Sequence, residues 1–119
     1  MTSSTLEKKR LLIAQTSSCA IELYELANDP ITYTQEECDR WRYLGDSAAS
    51  KTARLIKAYF ADDLETEIVQ AMKTIEDINK RLIEELEGQR RTAQNVQDIA
   101  TFLSILERLL SLAAGIPLH

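Results

Sequence analysis

The sequence predicts an all-α fold, an antiparallel four-helix bundle ending in a long helical hairpin, and three observations carry that prediction. Apolar side chains recur at alternating spacings of three and four residues along most of the chain, the signature of amphipathic helices. The 119 residues include only three Gly and two Pro, too few to punctuate the many turns of a sandwich or barrel. The interval from Asp46 to Glu87 contains neither, which calls for long helices. At 45% hydrophobic and 28% charged residues, the chain can bury a core and has the length of one helical domain, residues 1–119.

The first helix is expected over about 5–27. Leu12, Thr16, Cys19, Leu23 and Leu26 form its inward stripe, and Asn28, Asp29 and Pro30 end it, because Pro disfavours helical geometry in the residue before it. The second, over about 35–61, opens at Thr34, which has the capping-box spacing to Glu37. Trp41, Gly45, Ala48, Thr52, Leu55 and Tyr59 line one face. Its middle is small enough for close approach, with Trp41 and Tyr59 filling the ends.

The stripe slips near residue 61, since its continuation would put Asp62 and Thr66 inward. A fresh helix over about 63–87 is therefore expected, with Asp62 or Asp63 as its cap and Leu64, Ile68, Ala71, Ile75, Ile78 and Leu82 as its stripe. One bent helix across this point is the competing reading. Gly88 suits the left-handed position that closes the third helix. The short connection 89–92 then turns a fourth helix, about 92–114, back antiparallel, and Gly115 and Pro117 stop it.

That last helix carries Val96, Ile99, Leu103, Leu106, Leu110 and Ala113 as a heptad seam. Phe102, Ile105, Leu109 and Leu112 sit beside the seam and widen the apolar arc to nearly half the circumference, more than a rim helix needs. Either the helix is central in the monomer or a second chain covers part of the arc. Phe102, Ile105, Leu109 and Leu112 are accordingly the expected interface, and a homodimer is the favoured assembly.

Fourteen basic and nineteen acidic side chains give a net charge of −5. Residues 1–60 hold eight of each, so the excess falls in the second half. A net-negative body argues against broad nucleic-acid binding, which needs clustered cations. The local exception is Arg40, Arg42, Lys51, Arg54 and Lys57. Cys19 and Cys38 are expected to be reduced and packed. Lys8, Lys9 and Arg10 before Leu11–Ala14 imitate the start of a signal peptide, but the apolar stretch stops at Gln15, short of the roughly 7–15 residues required. No apolar run approaches the roughly 18 residues of a membrane span. A cytoplasmic location is expected, with no membrane partner.

Several segments imitate known chemistry. Residues 45–52 match a phosphate-binding loop except that Ser50 replaces the second Gly, and no parallel sheet is at hand to host one. Residues 34–57 resemble a helix-turn-helix in outline, with Gly45 in the turn and a basic second helix. The details misfit. Trp41 stands where a small residue should let the helices cross, and Lys51 and Arg54 stand where buried apolar residues belong. Trp41 and Tyr43 project about 200° apart on a helix and cannot form one stacking platform.

Glu22, Glu25 and Asp29, and Glu76, Asp77, Glu84, Glu85 and Glu87, are of the kind that hold Mg²⁺ in all-α nucleotide pyrophosphohydrolases, although solubility alone explains such surfaces. The single His, residue 119, leaves no internal His for di-iron ligation or for activating a nucleophile. No catalytic residue, cofactor or metal is therefore assigned. The expected function is a non-enzymatic helical interaction module that acts as an oligomer on a protein partner. A helix-turn-helix-like DNA-binding regulator using residues 40–57 comes second, and a Mg²⁺-dependent nucleotide hydrolase third.

Overall fold

The computed structural model describes residues 1–115, so Pro117 and His119 lie outside the described residues. Four helices follow one another: α1 (Ser3–Ala27), α2 (Gln35–Lys57), α3 (Glu65–Leu86) and α4 (Thr92–Ala113). One turn of 3-10 helix, Asp62–Leu64, precedes α3. No strand occurs among the described residues. The bundle measures 46 × 25 × 21 Å.

Helix α1 packs on α2 and α3, and α4 packs on the same two, so α1/α4 and α2/α3 are the diagonals. Consecutive helices alternate in direction. Neighbours α1 and α3 therefore run parallel: Thr5 Oγ1 donates to Asp62 near the start of α3, and Asn79 Nδ2 donates to the Gln15 carbonyl further along.

Most of the sequence logic holds locally. Leu12, Thr16, Cys19, Leu23 and Leu26 all face the core. Thr34 and Glu37 form the expected capping box, each side chain accepting from the other's backbone N–H at 3.2 and 3.0 Å. Gly88 takes φ +104, a conformation costly for any residue with a Cβ. The Gly88 and Gln89 N–H groups return to the Glu85 and Glu84 carbonyls, closing α3 as a left-handed cap should.

Helix α1 begins two residues earlier than expected, because Thr2 Oγ1 accepts from the Thr5 N–H and caps it. The larger correction lies between α2 and α3. Helix α2 ends at Lys57, not 61, and Ala58 is extended at φ −74, ψ 140. The chain therefore turns Phe60 inward to full burial and leaves Tyr59 63% exposed, the reverse of the inward Tyr59 that helical spacing gives. The two helices are separate.

Asp62 and Asp63 do not cap α3, whose preceding residue Leu64 makes no capping bond. Asp62 instead accepts from the Thr2 N–H at 2.7 Å and from Thr5 Oγ1 at 3.0 Å, tying the start of α1 to the second crossover. Lys9 fastens the same corner. Its Nζ reaches the Ile56 and Ala58 carbonyls at 3.1 and 2.5 Å and lies 5.9 Å from the centre of the Phe60 ring. A cation at the negative end of a helix dipole is favourably placed. Thus a lysine that resembled a leader's basic head is a buried fastener of the C-terminus of α2.

Gly45 contributes close approach, but to a ring rather than a backbone. A Cβ there would stand 3.0 Å from Tyr24 Cε1. The Tyr24 hydroxyl then reaches past to Asp46 Oδ1 at 2.5 Å.

Candidate interaction surface

The broad apolar arc of α4 is divided between α2 and α3. Phe102 and Leu109 are 2% exposed and belong to the core with Ile99, Leu106 and Leu110. As an outer contact surface, these two residues are a correction: the chain covers them itself. A helix packed on two neighbours needs the wider arc. Ile105 and Leu112 remain half-buried. With Leu109 beneath them, they floor an open groove between α4 and the beginning of α3, and Glu67, Gln70, Thr74 and Arg108 form its rim. Their spacing of i, i+4 and i+7 puts 105, 109 and 112 in one line along α4.

The basic segment is not a free recognition helix. Helix α2 runs unbroken from Gln35 to Lys57, so Gly45 makes no turn and the helix-turn-helix outline is lost. The phosphate-loop look-alike at 45–52 lies inside the same continuous helix. Glu107 of α4 gathers two of its cations: Arg54 makes a two-pronged contact at 2.7 and 3.2 Å, and Lys51 stands 3.6 Å away. Arg42 lies 3.3 Å from Asp39 and donates to the Ala27 carbonyl, while Arg40 lies 3.9 Å from Glu36. Lys57 makes no ion pair among the described residues. Opposite charges thus partner four of the five candidate contacts, which opposes the uniform positive stripe that phosphate binding requires.

Among the described residues, no group of three or more His, Cys, Asp or Glu side chains is arranged to hold an ion. Glu85 is instead 2% exposed and clasped by protein donors. The Tyr33 hydroxyl, the Arg91 N–H, Thr92 Oγ1 and Asn95 Nδ2 all donate to it, the last three at 2.8 Å. Burial alone would raise its pKa, but these four bonds outweigh it and hold the carboxyl below its ordinary value. The knot joins the 28–34 turn, the end of α3 and the start of α4. Sequence reading gave Glu85 to an acidic surface, because its partners come from segments up to 52 residues away.

A second buried carboxyl lacks partners. Glu22 is 9% exposed and its Oε2 has no hydrogen-bond partner. Burial first, and the Glu25 charge second, push it up to about 7. Cys19 is pushed up to about 12 by burial and by Glu22, which makes it a poor nucleophile. Both cysteines are free and buried.

The geometry defines a small helical bundle whose polar interior groups mostly fasten its ends. No family model, curated protein or solved structure matches the chain. No described helix is long and apolar enough to cross a membrane.

Proposed function

We propose that the chain is a non-enzymatic, cytoplasmic protein–protein interaction module that works as an oligomer and receives an amphipathic helix of a partner protein. The observation that carries this reading is the α3/α4 groove, with Ile105, Leu109 and Leu112 along its floor and Glu67, Gln70, Thr74 and Arg108 around it. A line of apolar residues inside a polar rim suits helix-in-groove recognition, where the partner's own i, i+3, i+4 and i+7 side chains insert. The commitment of Glu85, Lys9, Lys51 and Arg54 to internal bonds also supports a scaffold over a reaction centre.

The test places a photo-crosslinking amino acid at position 105 in the protein's own cell, with the same group at exposed Ser50 on α2 as control. The reading expects one discrete protein adduct from position 105 alone, lost in Leu112→Glu. Identical smears from both positions, or an adduct indifferent to Leu112→Glu, reject it.

A further inference from the structure

Helices α1 and α3 run side by side in parallel, and their polar contacts recur as rungs. Lys8 Nζ stands 3.6 Å from Glu65 Oε1. Two turns on in both helices, Gln15 Nε2 donates to the Met72 carbonyl at 3.4 Å. Beyond the end of α1, Asp29 and Leu86 line one small cavity. Each of these pairs is 57 residues apart in sequence. Seven residues advance either helix by about 10.5 Å, so a parallel pair keeps its register from rung to rung. The rung between Gln15/Met72 and Asp29/Leu86 pairs Glu22 with Asn79.

That rung is short of a donor. Asn79 commits Nδ2 to the Gln15 carbonyl at 3.1 Å, which fixes the direction of the amide, since the reverse would set oxygen against oxygen. Its Oδ1 is buried without a partner, and so is Glu22 Oε2. The Gln15 carbonyl points towards the C-terminus of α1, whereas the Glu22 side chain leans towards the N-terminus, so amide and carboxyl meet in the same turn. Two buried acceptors set together leave both unsatisfied, at a cost to the fold. A single proton on the carboxyl turns them into a donor and an acceptor.

The surrounding charges favour that proton. Burial first, and the Glu25 charge second, push Glu22 up to about 7. The Cys19 thiol beside it is held neutral by burial. On α3, Glu76 and Lys80 flank the rung and stand 3.9 Å from each other. On α2, Asp46 and Arg42 engage the Tyr24 hydroxyl and the Ala27 carbonyl, on the other flank of α1. Asp29 is held by the Thr32 N–H. Among the described residues, no cation pairs with Glu22.

We propose that the Glu22–Asn79 rung is a proton-operated latch between α1 and α3: the protonated carboxyl donates from Oε2 to Asn79 Oδ1, and release of the proton to solvent sets a bare carboxylate against the amide oxygen and loosens the two helices there. The loosening is local, because the Lys8/Glu65 and Gln15/Met72 rungs do not use this proton. Since the folded chain holds the proton more tightly than the unfolded one, the latch is fully closed in acid. It weakens as pH rises from the ordinary carboxyl range and is lost above about 7. It lies on the opposite edge of α3 from the α3/α4 groove and stands independently of any partner bound there.

The test is a carboxyl NMR titration of the full chain. Asn79→Leu removes the acceptor that only the protonated form of Glu22 uses, so the Glu22 pKa should fall by about half a unit or more. Burial without the shared proton gives the opposite sign, because leucine is more apolar than asparagine. Amide hydrogen exchange, corrected for its intrinsic rise with pH, supplies a readout that needs no change at Asn79. Protection of wild-type α1 from Cys19 to Leu26 should drop roughly tenfold or more between pH 5 and 7, while Glu22→Gln, whose amide donates at every pH, should hold it constant. A Glu22 pKa that stays or rises in Asn79→Leu overturns the proposal. So does wild-type protection that is level over this range, or a Glu22→Gln chain that loses protection as wild type does.

Discussion

The hydroxyl of Tyr33 donates to the carboxylate of Glu85, and this bond joins the first turn of the chain to the hairpin between α3 and α4. Glu85 accepts from three further donors, all at 2.8 Å, while being 2% exposed. A carboxylate can accept four such bonds, whereas an amide presents two donors of its own and must turn them towards donors here. Glu85→Gln should therefore destabilise the bundle by about 3 kcal/mol in urea unfolding, and Tyr33→Phe by about 1–2 kcal/mol. The acid limb follows from the same bonds. Because the folded pKa lies below the ordinary 4.5, the stabilisation is complete above 4.5 and fades as pH falls through the folded value. Wild-type stability should drop there, and Glu85→Gln should show a flatter acid limb.

Glu22 reverses that dependence. Its buried Oε2 has no partner, and its folded pKa of about 7 stands above the ordinary 4.5. An acid shifted upwards supports the fold below its unfolded pKa and withdraws that support as pH rises through the folded one. The midpoint of thermal unfolding should consequently fall between about pH 4.5 and 7. Glu22→Gln should remove that slope and stabilise the protein at pH 8 by about 1–2 kcal/mol, allowing for partial solvent access. A midpoint that rises with pH over this interval, or a variant no steadier than wild type at pH 8, would contradict the assignment.

The second crossover separates two adjacent aromatic residues. Phe60 is wholly buried and receives the Lys9 cation at its ring, while Tyr59 points out and accepts only from the chain's N-terminal amine, at 2.7 Å. Phe60→Ala should cost about 3–5 kcal/mol and Tyr59→Ala less than about 1 kcal/mol. Lys9→Met keeps the aliphatic stem but strips the Ile56 and Ala58 carbonyls of their donor, which should cost about 1–3 kcal/mol. Hydrogen exchange should locate that loss in the last turn of α2.

These contrasts mark where sequence reasoning stops. Helix existence follows from local period, and the inward stripes of α1 and of α3 from Ile68 to Leu82 were legible from spacing alone, as was the Thr34/Glu37 box, because both of its bonds lie within four residues. The end of α2 was not. Extending 41, 45, 48, 52 and 55 leads to Tyr59, and only the extended backbone at Ala58 substitutes Phe60. Polar interior groups were equally opaque. Lys9 and Glu85 bind partners 47–49 and up to 52 residues away, and a surface carboxylate has the same letter as a buried one. The width of the α4 arc was visible, but one chain's pattern does not say whether a second helix of that chain or a second chain covers it. Two neighbours within the chain, α2 and α3, cover most of it.

The groove supplies the last contrast, between residues a turn apart on α4. Leu109 is 2% exposed, so Leu109→Glu buries a charge in the core and should unfold or severely destabilise the chain, by more than about 3 kcal/mol. Its effect on partner binding would then say nothing about the surface. Ile105 and Leu112 are only half-buried, and a glutamate at either can turn to solvent beside Arg108. Ile105→Glu with Leu112→Glu should keep the helical circular dichroism and lower stability by about 1–2 kcal/mol, well short of the loss at Leu109. A double variant as unstable as Leu109→Glu would place all three side chains in the core and close the groove as a docking surface.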